Sequence, residues 1–364
     1  MAFLYESHRQ RVLLQSGGAA QALAHEVQRR GAQRVMVIAA GTQAPTAAQI
    51  TAGLPVVLRW DEVVMHVPLQ VAQRARAAAG ACDADLLISV GGGSSTGLAK
   101  AVALSTGLPI VSVPTTYAGS EATNVWGLTE GASKTTGVAE VVLPQCVIYD
   151  ASLTTSLPVA TSVASGLNAL AHCIDSMWAP NRNPVADALA AEGIAAITAG
   201  LPEIVADPAG LRGRERALTA AYLAAVAFAS AGSGLHHKIC HVLGGRYNLP
   251  HAQTHAVILP YVLAFNGSVA HGAERRIAGA LGAGSALAGI AALYEALDAP
   301  RALRQLGFPP DAVAEAAAAL LPFVPPSNPR PVTVEDLRRL LAAACEGADP
   351  GVLQETVTIT REPR

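Results

Sequence analysis

The chain has 364 residues, of which 51% are hydrophobic, so it is long enough to bury one large core or two ordinary ones. Its 25 basic and 27 acidic residues give a formal net charge of −2, with no Lys/Arg run. This balance argues against nucleic acid and against an anionic membrane as partners. We expect a globular protein that binds small molecules.

The cysteines and the N-terminal sequence indicate in which cellular compartment the protein is expected. The five cysteines are odd in number and never spaced as CxxC, which argues against a disulfide framework or a thiolate zinc site: Cys82, Cys146, Cys173, Cys240 and Cys345. Charges lie among the apolar residues of the N-terminus, and no long apolar segment follows, so we expect neither a signal peptide nor a transmembrane helix. A cytoplasmic location fits these features.

The first half alternates short branched apolar runs with helical patterns. Strands are predicted over 34–40, 64–67, 86–90, 110–113 and 147–149, and helices lie between them, for example over 71–79 and 98–104. This alternation is typical of an α/β fold with a parallel sheet that binds ligands at the carboxyl ends of its strands.

The second half carries alanine and leucine at helical spacing. Helices are predicted over 161–178, 184–199, 213–231, 234–244, 272–281 and 333–344, the last capped by Thr333. We therefore expect an α/β dinucleotide-binding domain over 1–157 and an all-helical substrate and catalytic domain over 158–364. The active site should lie in the cleft between them.

A glycine-rich motif directly follows the predicted strand 86–90. Its residues are Gly91, Gly92, Gly93, Ser94 and Ser95. Glycines let the backbone approach a phosphate, and the helix that follows offers free N–H groups, so we predict a pyrophosphate site. A tight turn without a ligand is the alternative. The motif is neither GxGxxG nor GxxxxGK[ST], which weakens an ordinary Rossmann or nucleotide-triphosphatase interpretation.

A hydroxyl-rich segment, PTTYAGSEAT over 114–123, follows the next strand. Thr115, Thr116 and Ser120 are predicted to hold the ribose or carboxamide of a cofactor, although such residues also bond their own backbone in turns. After the first predicted strand, 40–42 reads AGT and contains no acid that would repel a 2′-phosphate. NADPH is therefore permitted as well as NADH.

Histidines are concentrated between His236 and His251. His237 and His241 are four residues apart and share one helix face, and His251 follows in the loop after a Gly-Gly pair. Asn168 and His172 have the same spacing on another helix. Any one of these histidines can be a capping residue, but together they predict a site for a metal or for proton transfer.

The motifs GGGSS, PTTYAGSE, NALAH and HHKICHVLGG, in this order, resemble the iron-containing alcohol dehydrogenase family, which shares the dehydroquinate-synthase-like architecture. The longer strings GGGSSTGLAK, SGLNALAHCID and LHHKICHVLGG resemble its maleylacetate reductase branch. The resemblance spans nearly the whole chain. It implies hydride transfer between NADH or NADPH and a carbonyl group in the cleft.

In metal-binding members an aspartate and three histidines hold the ion, and these positions fall on Asn168, His172, His237 and His251. An amide is a poor ligand, so a divalent metal is possible but not favoured; if present, it would be bound by the three histidines. Without a metal, the same histidines would stabilise and protonate the oxyanion. His241 is a further candidate proton donor.

The branch implies 2-maleylacetate, a small dicarboxylate, as substrate, reduced to 3-oxoadipate during the breakdown of aromatic compounds. Its binding is assigned to polar candidates, although the two cations can equally be surface charges: Tyr117, Asn168, His236, Lys238 and Arg246. Lys134 resembles the family lysine that approaches the cofactor. The resemblance also suggests a homodimer, formed through a strand near 12–14.

Three alternatives stay open at this point. The nearest is a metal-dependent alcohol or aldehyde dehydrogenase of the same family. A metal-dependent lyase or polyol-phosphate synthase shares the architecture but favours an acid where Asn168 stands. A nucleotide-binding sensor would leave the histidines without a role.

Overall fold

The computed structural model describes residues 3–131 and 133–354, except for the side chains of residues 133 and 134. The strands lie in the first half of the chain: β1 Arg11–Leu14, β2 Val35–Ile38, β3 Val56–Trp60, β4 Leu86–Gly91, β5 Ile110–Pro114, β6 Val125–Glu130, β7 Ser133–Val138 and β8 Cys146–Tyr149. Six of them form a parallel sheet in the order β1-β8-β5-β4-β2-β3, while β6 and β7 form a separate antiparallel hairpin.

Helices cover both faces of the sheet: α1 Ala19–Arg30, α2 Ala44–Ile50, α3 Leu69–Ala81 and α4 Gly93–Thr106. One core contains residues of α1 and α2, and the other contains residues of α3 and α4. Strand β4 is buried along its whole length because apolar layers lie on both sides, which explains its continuous apolar sequence.

The second half is helical, as predicted: α5 Val159–Ser176, α6 Pro184–Ala206, α7 Leu211–Ala231, α8 Leu235–Tyr247, α9 His251–Gly267, α10 His271–Ala280, α11 Ala286–Ala296, α12 Val313–Leu320 and α13 Val334–Glu346. The predicted fold class, a parallel-sheet region followed by a helical one, is confirmed. Thr333 caps α13 through a capping box with Asp336. Pro158, the predicted boundary, precedes α5 as its N-cap.

The strand predicted over 64–67 is wrong. Its branched residues suggested an extended conformation, but His66 and Val67 have positive φ angles of 63° and 49° and belong to a turn. The strand at this side of the sheet is β3, which lies earlier in the chain and pairs with β2. The β6–β7 hairpin was also not predicted, because its Thr, Gly and charged residues form no apolar run.

Within the described residues, one unbroken helix, α6, is long and apolar enough to cross a membrane by length and composition alone, and α7 with α8 passes the same test only as a pair bent by 100°. It packs against α5 and α7, and its side chains Ile194, Ile197 and Leu201 are fully buried in the helical core. A core helix has the same composition as a spanning one, so the apolar sequence of α6 is explained by its packing here.

Candidate functional site

The glycine-rich and hydroxyl-rich motifs meet at one edge of the sheet. Strands β4 and β5 are parallel neighbours, and Gly91 is paired with Pro114 at their carboxyl ends. The Thr115 N–H donates to the Gly91 carbonyl over 3.0 Å, which joins the two loops directly. The predicted cofactor residues therefore lie together where a doubly wound sheet binds its ligands.

Two glycines of the first motif stand where the Cβ of any other residue would collide with a neighbouring side chain. Gly91 has a φ of +141°, and a Cβ there would lie 2.5 Å from the Ser95 Oγ. A Cβ on Gly92 would lie 3.0 Å from the Thr116 side chain. Helix α4 begins at the next residue without a side-chain cap, so its first N–H groups stay available for an anion. This geometry favours the phosphate site over an empty turn.

The remaining predicted cofactor residues differ in exposure. Ser94, Thr116 and Ser120 are half-buried, whereas Ser95 and Thr115 are 2% and 3% exposed. The half-buried hydroxyls are thus the ones positioned to reach a ligand. Lys134 lies in β7, but its side chain is outside the described part of the chain.

The hydroxyl-rich loop also contacts the helical region. The Tyr117 N–H donates to the Ser165 Oγ of α5 over 3.0 Å. Gly119 has a φ of +79°, and a Cβ there would lie 2.8 Å from the Ala225 Cβ of α7. Three residues further along these helices stand Asn168 and Phe228. The loop therefore lies about one helical turn from Asn168 and Phe228, and about two turns from His172, the first of the histidines described next.

Five histidines come together, and we call them the histidine cluster: His172, His237, His241, His251 and His255. The His172 and His237 rings are stacked, with centroids 5.0 Å apart. Both rings also contact Phe228, whose centroid lies 4.9 Å from that of His172 and 4.2 Å from that of His237. The His255 ring lies between two other members, with its centroid 4.5 Å from that of His251 and 4.9 Å from that of His237. The His241 ring centroid is 6.1 Å from that of His237.

Asp175 holds His237 in place. This fully buried carboxylate accepts the His237 Nδ1–H over 2.7 Å, the Gly234 N–H over 2.8 Å and the Trp178 indole N–H over 3.0 Å. It also receives longer bonds from the backbone N–H groups of His236 and His237, so it anchors the first turn of α8 to α5. With its proton on Nδ1, His237 presents a lone pair on Nε2.

Burial determines the charge state of the cluster. It lowers the pKa of His172 to about 3, with a smaller contribution from the nearby charge of His251. Burial also lowers the pKa of His237 well below its ordinary value, followed by the effect of His172. Burial raises the pKa of Asp175, and hydrogen bonds from Trp178 and the backbone oppose that shift. The stacked imidazoles are therefore neutral at physiological pH.

Several buried polar atoms of this region have no hydrogen-bond partner among the described residues. They include the Asn168 Oδ1, the His172 Nδ1, the His237 Nε2 and the His255 Nε2. Buried polar atoms are nearly always paired in folded proteins, so their concentration here indicates a place that a ligand completes.

Behind the cluster lies a second histidine pair. The fully buried His236 directs its Nε2 to the His255 Nδ1 over 2.9 Å, and the Cys240 Sγ is 3.6 Å from the same His236 nitrogen. The prediction that His236 contacts substrate is therefore corrected. Its hydrogen bond is made to another histidine within the helical core, because α8 and α9 pack together at this point.

The resemblance to the iron-containing alcohol dehydrogenase family implies a metal, and the donor set can be tested against that role. Asn168 brings no charge, and the stacked rings of His172 and His237 direct their in-plane lone pairs along parallel planes. Among the described residues, the compact group of metal-type ligands, with donor atoms within 4.8 Å of one another, is instead His236, Cys240 and His255. The predicted set of His172, His237 and His251 does not fit an ion as it stands.

Tyr117 is corrected as a substrate contact. Its side chain is 0% exposed, and its hydroxyl accepts a 3.3 Å hydrogen bond from Arg214, which also binds the Thr154 carbonyl. Arg214 precedes Phe228 by 14 residues on α7, a distance of about 21 Å along the helix. The Tyr117 hydroxyl thus supports the loop from the core, far from the histidine cluster.

The two cationic residues predicted to contact the substrate, Arg246 and Lys238, lie in different environments. Arg246 is exposed and pairs with Glu315 over 2.9 Å, nine residues beyond His237 on α8, or about 13 Å along the axis. Its assignment to substrate is corrected for that reason. Lys238 is half-buried and its charge acts on His237, so it stays a candidate for a substrate carboxylate.

Two functional residues were missed in the sequence. Asp175 follows His172 by three residues, a spacing that places both on neighbouring positions of α5. His255 follows His251 by four residues, but His251 was placed in a loop, whereas it is the first residue of α9. Pro250 immediately before it was the available signal, because proline is common where helices begin.

Comparisons with known proteins agree with this architecture. A family model for iron-containing alcohol dehydrogenase matches residues 10–151, and one for the C-terminal region of the Fe-containing alcohol dehydrogenase family matches residues 162–345. A maleylacetate reductase from Burkholderia cepacia is 44% identical over 351 residues, which cover 96% of this chain and 99% of that protein.

Solved structures of similar proteins have the same fold. An iron-containing alcohol dehydrogenase from Corynebacterium glutamicum is 58% identical with a TM-score of 0.96, covering 97% of this chain and 99% of that one. A maleylacetate reductase from Agrobacterium tumefaciens is 40% identical with a TM-score of 0.91, covering 96% of this chain and 100% of that one. The similarity extends across both the sheet and the helical region.

Proposed function

Because the chain belongs to the iron-containing alcohol dehydrogenase family, we propose that it reduces 2-maleylacetate to 3-oxoadipate with NADH or NADPH. The observation that carries the proposal is the stacked pair of neutral imidazoles, His172 and His237, close to the 114–123 loop that is bonded to α5. Relatives named maleylacetate reductase that match nearly the full chain support the choice of substrate.

The cofactor would be held at the carboxyl edge of the sheet. Its pyrophosphate fits the glycine-rich turn and the N-terminus of α4, and the half-buried hydroxyls of Thr116 and Ser120 are available to its sugar or carboxamide. The bound nicotinamide supplies the hydride. Residues 40–42, at the end of β2, carry no acid, which supports use of NADPH beside NADH.

The protein's own residues must then stabilise the negative charge that develops on the carbonyl oxygen and supply a proton to it. Phe228 and the stacked rings of His172 and His237 exclude water, so each remaining polar contact is stronger than it would be in solvent. His241, which is exposed, is suited to exchange the final proton with solvent. Lys238 is the candidate partner for a substrate carboxylate.

The proposal assigns no step to a metal, and this point separates it from the nearest alternative, a metal-dependent alcohol dehydrogenase. We expect purified protein to oxidise NADH with maleylacetate at the same rate before and after treatment with a chelator. Metal analysis of the same samples is the companion measurement. Stoichiometric metal, with activity lost on its removal and restored by its return, would favour the alternative.

We also propose a cytoplasmic homodimer. All five cysteines are free thiols, which suits a reducing compartment. Strand β1 forms an edge of the sheet, with Val12 and Leu14 38% and 42% exposed, and an edge of this kind can pair with a second copy.

A further inference from the structure

His255 occupies a position between the catalytic candidates and the buried pair behind them. Its side chain is 0% exposed, and its ring centroid lies 4.5 Å from His251 and 4.9 Å from His237. The Nδ1 edge of the ring is bonded to the His236 Nε2 over 2.9 Å. The two nitrogens of an imidazole point in nearly opposite directions, so the Nε2 of His255 points away from His236.

The shared hydrogen bond contains one proton, and its position decides what His255 offers. If His255 donated, the proton of His236 would sit on its Nδ1, a buried atom without a partner among the described residues. If His236 donates, the proton of His255 sits on Nε2, on a ring whose centroid is 4.9 Å from that of His237, where Asp175 fixes the lone pair on Nε2. The second arrangement places the unpaired N–H where a bound oxygen can accept it, and buried N–H groups without acceptors are rare.

We infer that His255 donates its Nε2–H to the carbonyl oxygen of the substrate and that His236 is a positioning residue that holds this tautomer. The inference rests on the proposed carbonyl reduction. Negative charge grows on that oxygen as the hydride arrives, and an oriented N–H in a dry site stabilises it. No proton leaves His255, so its role is that of a neutral oxyanion donor.

Steady-state kinetics with NADH test the donor. We expect His255→Ala to lower kcat about 100-fold with unchanged Kd for NADH, since oxyanion donors contribute on that order. His255→Gln, whose amide N–H can reach the same oxygen, should recover about tenfold of that loss. His271→Ala, an exposed histidine at the start of α10, is the matched control and should leave kcat unchanged.

The positioning role of His236 is tested by a pair of variants of similar volume. His236→Gln keeps an amide N–H that can donate to the His255 Nδ1, so it should retain most of kcat. His236→Leu removes the donor and should lower kcat with little change in KM. Melting temperatures of both variants are measured in parallel, because a purely structural role would lower stability in both without separating their kcat values.

A spectroscopic measurement makes the inference independent of the substrate. The ¹⁵N shifts of histidine-labelled wild-type protein, assigned by comparison with His255→Gln, report which ring nitrogen carries the proton. We expect Nε2 for His255. A proton on Nδ1 would overturn the inference even if maleylacetate is reduced, whereas failure with maleylacetate but reduction of another carbonyl compound would overturn only the proposed substrate.

Two further results would contradict the role of His255. One is a folded His255→Ala variant whose kcat stays within about twofold of the wild type, less than an oxyanion donor contributes. The other is zinc or iron in purified wild-type protein that disappears in His255→Ala, which would make His255 a metal ligand together with His236 and Cys240. If His255→Ala does not fold, the glutamine variant and the ¹⁵N spectrum decide the question.

Discussion

Two groups of buried polar residues, one around Lys100 and one in the histidine cluster, differ in how fully their hydrogen bonds are satisfied. In the sheet region, the fully buried Lys100 donates from Nζ to the Thr123 carbonyl over 2.7 Å, to the Thr123 Oγ1 over 3.0 Å and to the Val125 carbonyl over 2.8 Å. All three ammonium protons are thereby used. Burial lowers the pKa of Lys100 to about 7, and the nearby Glu121 acts in the opposite direction.

The histidine cluster has an equally buried centre, formed by His237 and His255, but its hydrogen bonds are incomplete. Asp175 satisfies one edge of His237, while the His237 Nε2 and the His255 Nε2 have no partner among the described residues. A complete set of bonds stabilises the fold: Lys100 ties α4, which follows the glycine-rich turn, to the segment before β6. An incomplete set leaves polar atoms for a ligand. The comparison therefore separates residues that serve stability from residues that serve chemistry.

The largest expected effect is on the incomplete cluster, through Asp175. In Asp175→Asn, the amide NH₂ can face His237 and force its proton from Nδ1 to Nε2, which removes the lone pair from the site. We expect kcat to fall about 10,000-fold, as when the carboxylate of a catalytic triad is replaced by an amide. Steady-state kinetics and a thermal melt check that the loss exceeds any loss of stability.

Asp187→Asn is the matched control for Asp175→Asn. Asp187 is also a buried aspartate of the helical region, but it pairs with Arg182 and Arg276 instead of a histidine. Its replacement should lower the melting temperature and leave kcat nearly unchanged. An unchanged kcat in Asp175→Asn would mean that the His237 tautomer does not matter, and the distinction between the clusters would fail.

The next largest effect is expected on stability, at Lys100, whose hydrogen bonds are complete. Lys100→Met keeps the chain length but leaves three acceptors and Glu121 without the ammonium, so we expect the free energy of unfolding to fall by about 3 kcal/mol. At saturating NADH, kcat should stay close to that of the wild type. Chemical denaturation and kinetics on the same preparation are the measurements. A large loss of kcat without loss of stability would place Lys100 with the chemical residues.

Much of the fold follows from local patterns. Strands β4 and β5 are short apolar runs with one serine each, and the helices after Pro158 repeat alanine and leucine at the helical period, so their existence was predictable. The error at 64–67 shows the limit. Valines there favour a strand in isolation, but the positive φ of Val67 is fixed by the turn that leads into α3, which no local preference reveals.

The site was predictable where one helix or one loop carries it, as with the pairs Asn168 and His172 or His237 and His241. It was not predictable where partners come from different helices. That Asp175 of α5 binds His237 of α8, and that His236 binds His255 of α9, depends on how the helices pack. Tyr117 shows the converse, since a hydroxyl in a promising motif turned into the core to meet Arg214.

His241 gives the smallest expected effect, because it is an exposed member of the histidine cluster, as His251 also is, and water can replace part of its function. Its ring lies 6.1 Å from that of His237, one helical turn further along α8. We expect His241→Ala to lower kcat about tenfold, less than the roughly 100-fold that is the low end for a positioned proton donor, with unchanged affinity for NADH. The loss should shrink when small imidazole is added, since a soluble donor can enter from solvent. An unaltered kcat across the pH range would remove His241 from the proton path and confine the chemistry to the other members of the cluster.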